Sequence, residues 1–204
     1  MCLARARSRN IDAAFSTNAA SADIVALLSD AIPELISGAP DLEGPTSMKR
    51  KLAAFTAQDR AGRYVHYGVR EHAMGAMMNG MAAHGGVVPL GATYLVFSDY
   101  MRPALRMAAL MDLPVVTVYS HDSIGVGKNG PTHQPVEYLA SLRAMPNMAV
   151  FRPADGVEAA ECWELALARR NGPSTIACSF QALTPARKDD GAWSIPKEMA
   201  SRGQ

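Results

Sequence analysis

Cysteine, net charge and long apolar runs are all scarce in this 204-residue chain, and each scarcity removes a class of function. The three cysteines, Cys2, Cys162 and Cys178, form no CxxC pair and have no histidine at metal-ligand spacing beside them. A disulfide framework and a zinc site are therefore not expected, and reduced thiols in a cytoplasmic protein are. Twenty basic residues against 19 acidic ones leave a formal charge of +1, which argues against nucleic acid or an anionic membrane as partner. The basic start, MCLARARSRN, lacks the apolar stretch of a secretory signal. No run approaches the roughly 20 apolar residues of a membrane span.

What is present is an ordinary globular composition, 49% hydrophobic and 19% charged, enough for one well-buried core. Helical spacing of apolar residues over Ala22 to Ile32 ends at Pro33, and Leu35 and Ile36 begin an extended piece. Gly38 to Ala61 reads as a long connection. From Tyr64 the rhythm is regular: extended over 64–69, 87–93, 114–120, 148–152 and 174–180, helical over 71–84, 98–111, 136–145 and 157–170. Such alternation predicts an α/β fold, a parallel sheet of about six strands with helices on both faces. Asp155 followed by Glu158 predicts a capping box at the start of the last helix. The expected division is an N-terminal segment (1–19), one domain (20–185) and a C-terminal tail or linker stub (186–204).

In open α/β sheets ligands bind where strands run into helices, and three such loops are unusual. In the first, Gly68 to Met74, Glu71 sits in the opening turn of a helix, where free backbone N–H groups and the macrodipole stabilise negative charge. An acidic residue there is more often a helix-start preference than a catalytic group. The second carries Tyr94, Phe97 and Tyr100 at spacings of three. These rings make either a flat slot for a planar heterocycle or, as aromatic stripes more often do, part of a core. The third, His121 to Pro135, holds two histidines, three glycines and two prolines, where a plain connection runs to about 2–6 residues. His121 and His133 are each candidate proton-transfer or hydrogen-bonding groups and, about as readily, structural histidines.

Together GVREHAMGAMMNGMAAHGG, LVFSDYMRPALRMAALMDLPV, HDSIGVGKNGPTHQPVEYLASLRAMPN and FRPADGVEAAECWELAL resemble the pyrimidine-binding domain of transketolases, from Tyr64 to about Leu183, with a looser match upstream through PELISGAPDL. The resemblance implies thiamine diphosphate as cofactor and transfer of a two-carbon ketol unit from a ketose to an aldose. Glu71 matches the glutamate that hydrogen-bonds a ring nitrogen of the aminopyrimidine, a general-base relay. Phe97 would stack on that ring, Tyr94 and Tyr100 would complete the wall, and His121 and His133 would face the sugar. Asp41 matches an acidic position that supports the cofactor across a subunit interface.

The chain departs from the family at informative places. Lys128 and Asn129 replace an acidic pair, Asn129 standing at a substrate-hydroxyl position. Phe180, within Ser179-Phe180-Gln181-Ala182-Leu183, stands where an arginine would grip a sugar phosphate, and Asn18 lies near the place of a second arginine. A changed acceptor or a degenerate site is expected, with an acceptor or donor other than an ordinary pentose phosphate; the alternatives are ketol transfer to a non-phosphorylated or one-carbon acceptor and a non-catalytic remnant. The GDG motif of the domain that holds Mg²⁺ and the diphosphate does not occur here. A diphosphate-binding partner is implied, either as another domain of a longer protein or, as the favoured reading, as the separate subunit of a split transketolase, within a homo-oligomer such as a dimer or a heterotetramer.

Overall fold

A computed structural model of the chain describes residues 15–126 and 129–184. Expectations for Cys2, Lys128, most of the N-terminal segment and the C-terminal tail lie outside these residues. Six strands form one wholly parallel sheet: β1 (Leu35–Ala39), β2 (Tyr64–His66), β3 (Val88–Tyr94), β4 (Val116–Ser120), β5 (Ala149–Phe151) and β6 (Ser174–Ala177), in the order β2-β1-β3-β4-β6-β5. After β1 the chain goes to one edge of the sheet for β2 and returns to the other side of β1 for β3. A reversal of this kind opens a crevice at the carboxyl ends of the strands.

Two apolar layers hold helices to the two faces. On one, α1 (Thr17–Ala31) packs beside α6 (Gly156–Ala168), burying Ile24, Val25, Leu28 and Trp163 against Leu90, Val118 and Ile176. On the other, α3 (Glu71–His84), α4 (Ser98–Leu110) and α5 (Tyr138–Arg143) bury Met74, Met78, Met101, Leu105 and Leu142 with Tyr119. The short α2 (Glu43–Thr46) interrupts the connection after β1. Strands β4 and β6 are buried along their whole length, as strands covered on both faces must be. Among the described residues no helix is long and apolar enough to cross a membrane.

Helix ends follow from local chemistry. Ser16 starts α1, its side chain accepting from the Ala19 N–H at 3.1 Å, so the helix begins five residues ahead of its apolar periodicity, with Thr17, Asn18 and Ser21 buried at its start. Asp155 caps α6 through the Glu158 N–H at 2.9 Å. Glu158 reaches back to the Ala154 N–H at 2.7 Å, one residue beyond the group a capping box would bind. Helix α3 is set deeply because Gly75 has no side chain: a Cβ there would meet Ala104 Cβ at 2.7 Å and Met101 Cε at 2.9 Å. Close approach at Gly75 seats α3 on α4 and so fixes where Glu71, at its first position, stands.

Candidate functional site

Five strand-to-helix connections meet at the carboxyl edge of the sheet, and the side chains singled out above are distributed among them. After β2, Glu71 opens α3 and is buried, with 7% of its surface exposed. The preceding residue, Arg70, supplies no side-chain cap and turns back to donate to the Tyr67 carbonyl at 3.0 Å. Among the described residues no hydrogen bond or ion pair engages the Glu71 carboxylate. Its charge reaches the fully buried Tyr119, whose phenol burial pushes upward, with Glu71 adding to the effect. A carboxylate largely withdrawn from water needs compensating partners. Its place at a helix N-terminus meets part of that need, and a donor supplied by a ligand would meet more.

After β3 comes the ring cluster. Tyr94 stacks on Phe97 with centroids 5.5 Å apart and planes 6° from parallel. Tyr100 tilts against Phe97 at 6.1 Å and is 67% exposed. Tyr94 itself is buried, and burial raises its phenol pKa. The slot expected at this loop is therefore half core and half open face: Tyr94 anchors it, while Phe97 and Tyr100 remain accessible.

The two histidines join this cluster. His121 follows β4 in a left-handed conformation (φ 59°), unusual for a residue other than glycine and of a kind that gathers at functional sites. This turn lays the imidazole flat on Tyr94, with centroids 3.8 Å apart. Its Nδ1 pairs with the Ser120 hydroxyl at 2.9 Å. The ring is 3% exposed; burial first, then His133, pushes its pKa down to about 4 against the opposing pull of Asp122. His133 stands edge-on to Tyr94 at 5.8 Å and to Phe97 at 5.4 Å, its Nδ1 paired with the Thr132 hydroxyl at 2.9 Å. The long loop between the histidines contains two 3₁₀ turns, Ile124–Val126 and Pro131–His133, and is tied down where Gln134 donates to the Ile124 carbonyl at 3.1 Å.

One ring was not anticipated as part of the site. Phe180, after β6, stacks on the other face of His121 at 4.3 Å and 18°. The row therefore runs Phe180, His121, Tyr94, Phe97, Tyr100 across connections from three strands. In the sequence Phe180 signals only an absent arginine, because the contact with His121 bridges residues far apart in the chain. Asn18, the other departure, is its neighbour in space: the Asn18 N–H donates to the Ser179 carbonyl at 3.1 Å.

Asp41 and Asn129 stay outside the row. Asp41 lies just beyond β1 at the same edge, exposed, with φ 61°, a conformation aspartate tolerates better than most residues. Asn129 is exposed on the long loop. Beside the row, Asp122, Arg152, Ser179 and Gln181 line a cavity of about 370 Å³. There Arg152 Nε donates to Asp122 Oδ2 at 2.8 Å, while the buried Asp122 Oδ1 has no partner.

Fold and edge define the class: a doubly wound parallel α/β domain whose titratable and aromatic side chains gather at the carboxyl ends of the strands. Residues 13–185 match the family model described as "Transketolase, pyrimidine binding domain". The chain is 52% identical over 177 residues to a transketolase of Sinorhizobium medicae, covering 86% of this chain and 26% of that one. To a transketolase of Aquifex aeolicus it is 54% identical over 168 residues, covering 82% and 24%. The solved transketolase of Leishmania mexicana superposes with a TM-score of 0.83 at 44% identity, covering 84% of this chain and 26% of that structure. The chain belongs to the transketolase pyrimidine-binding domain family. It spans about a quarter of the length of the curated relatives it matches.

Proposed function

We propose that this chain forms the aminopyrimidine half of a thiamine-diphosphate site that moves a two-carbon ketol unit from a ketose to an aldehyde. Membership of the family implies the cofactor, and the observation that carries the reading is Glu71: a buried carboxylate, unpartnered among the described residues, at a helix start on the ligand edge of the sheet. The residues present fit the group. A planar heteroaromatic ring needs a flat surface, which Phe97 and its neighbours offer, and a hydrogen-bonding group for its edge nitrogen, which Glu71 offers.

When bound, thiamine diphosphate supplies the nucleophilic carbon and the electron sink that ketol transfer requires. Glu71 holds the proton at the pyrimidine ring nitrogen and so sets the basicity of the ring's opposite edge. Phe97 fixes the ring plane, with Tyr94 behind it. His121 is neutral at pH 7, its pKa being about 4, so it acts as a hydrogen-bond donor and acceptor toward substrate hydroxyls and not as a standing cation. His133, edge-on to the two inner rings, is placed to exchange a proton with a substrate oxygen. Asp41 and Asn129 serve at the rim, Asp41 toward a partner subunit and Asn129 toward a substrate hydroxyl.

The diphosphate and Mg²⁺ are assigned to a complementary domain, on a second chain or in a longer protein containing this segment, within an oligomer. Two-carbon transfer of this kind belongs to sugar metabolism, the pentose phosphate pathway included, and we assign it to the cytoplasm. The test is reconstitution of this chain with a diphosphate-binding domain and assay of two-carbon transfer. Glu71→Ala should lower turnover by about 10²–10⁴-fold, the usual share of a positioned acid–base group. Unchanged turnover in that variant contradicts the reading, and no turnover in the wild type, despite bound cofactor, identifies a non-catalytic domain.

A further inference from the structure

Phe180 closes one end of the ring row and Tyr100 the other. Phe180 is 49% exposed, with one face on His121. It does not hang free. On one side, the Ser179 N–H donates to Thr17 Oγ1 at 2.7 Å and the Thr17 N–H donates to Ser179 Oγ at 3.1 Å. On the other, Gln181 Nε2 donates to Ser123 Oγ at 2.8 Å, and Gln181 Oε1 is an acceptor without a partner. A large apolar ring pinned from both sides and left half in water keeps unfavourable hydration that a ligand's apolar surface would relieve.

Charge points the same way. The imidazole beneath Phe180 is neutral at pH 7, and the adjacent Asp122 is an acid. Arg152, in the neighbouring cavity, donates to that acid through Nε, with its side chain 46% exposed. An incoming phosphate would meet an apolar ring, a neutral imidazole and a carboxylate that competes for the nearby cation.

We propose that Phe180 is a specificity-determining residue, and that the acceptor of this site is an aldehyde with an uncharged apolar or aromatic tail that stacks on the free face of Phe180. The inference rests on the ketol-transfer reading above. The atoms balance without a co-reactant: the donor ketose loses two carbons and one hydroxyl proton to become a shorter aldehyde. The acceptor's carbonyl carbon gains the new carbon–carbon bond, and its oxygen takes a proton. The tail takes no part beyond binding.

The experiment follows the ring resonances of Phe180 and His121 by NMR in the full chain, titrated separately with benzaldehyde and with inorganic phosphate. In the wild type, benzaldehyde shifts both rings saturably and phosphate shifts neither. Phe180→Arg raises the phosphate-to-benzaldehyde affinity ratio by about 10–100-fold, the effect of one charge-assisted contact. Phe180→Leu, apolar but ringless, weakens benzaldehyde without admitting phosphate. Saturable phosphate binding at His121 in the wild type, or no response of either ring to benzaldehyde, overturns the inference. A parallel thiamine titration read at Tyr94 and Phe97 separates the two claims. No response there with the benzaldehyde response intact removes the cofactor assignment and leaves the apolar recognition standing. The converse removes the apolar recognition alone.

Discussion

Within the ring row Tyr94 is buried and Phe97 partly covered, and at the same edge of the sheet the Glu71 carboxylate lacks a partner among the described residues. At one end of the row Phe180 stands half in solvent between Ser179, bonded to Thr17, and Gln181, whose Nε2 donates to Ser123 while its Oε1 has no partner. The Glu71 side offers a carboxylate for a ligand to engage, and the Phe180 end offers a half-exposed ring beside acceptors without partners. An unmet hydrogen bond and an unmet apolar surface select for different things: the first for a ring nitrogen at a fixed point, the second for any flat uncharged surface. On the proposed reading, Phe97 and Glu71 take the cofactor ring and Phe180 takes the acceptor.

His121 joins the two ends, so its titration is the sharpest way to disturb both. Its folded-state pKa, about 4, lies below the ordinary value of 6.5, so between those values the unfolded chain binds more protons than the native one. Stability from this group is full above pH 6.5 and is lost as pH falls toward 4, by at most about 3 kcal/mol. Denaturant unfolding at pH 7 and pH 4.5, compared between the wild type and His121→Asn, should show a smaller acid loss in the variant. Equal losses would mean that the stacked imidazole is not held neutral.

A smaller perturbation separates the ends. Gly75→Ala forces a Cβ against Ala104 and Met101, so it should displace α3 and Glu71 while leaving Phe180 in place. The gain in helix propensity offsets part of the overpacking, for a net destabilisation of about 1–2 kcal/mol. Thiamine binding should weaken in this variant while benzaldehyde binding at Phe180 does not. Parallel weakening would show that the two ends are one unit.

Much of the architecture was legible because local signals agree with the global fold. Helix α3 runs over the residues its pattern predicts, opening at Glu71 and closing before Gly85, which takes φ 82°. The strand-helix alternation yields the parallel sheet of six strands. Helix α1 was legible only in its second half, because the first turn buries polar residues, Thr17 and Asn18, for contacts with Ser179 and Pro45 that periodicity cannot reveal. The aromatic spacing of Tyr94, Phe97 and Tyr100 marked the inner wall. Phe180 escaped notice as a site residue because its role depends on β4 and β6 lying side by side, a fact of topology and not of any local motif.

The central claim is that the Glu71 carboxyl group shares a proton with a ring nitrogen of the aminopyrimidine, and a thermodynamic cycle tests it directly. Calorimetry would compare thiamine diphosphate with an analogue in which that nitrogen is replaced by CH, against reconstituted wild type and Glu71→Ala. The account predicts that the wild type prefers the natural cofactor by about 10–100-fold, the worth of a hydrogen bond to a charged group, and that the variant shows almost no preference. An equal preference in both proteins would contradict it.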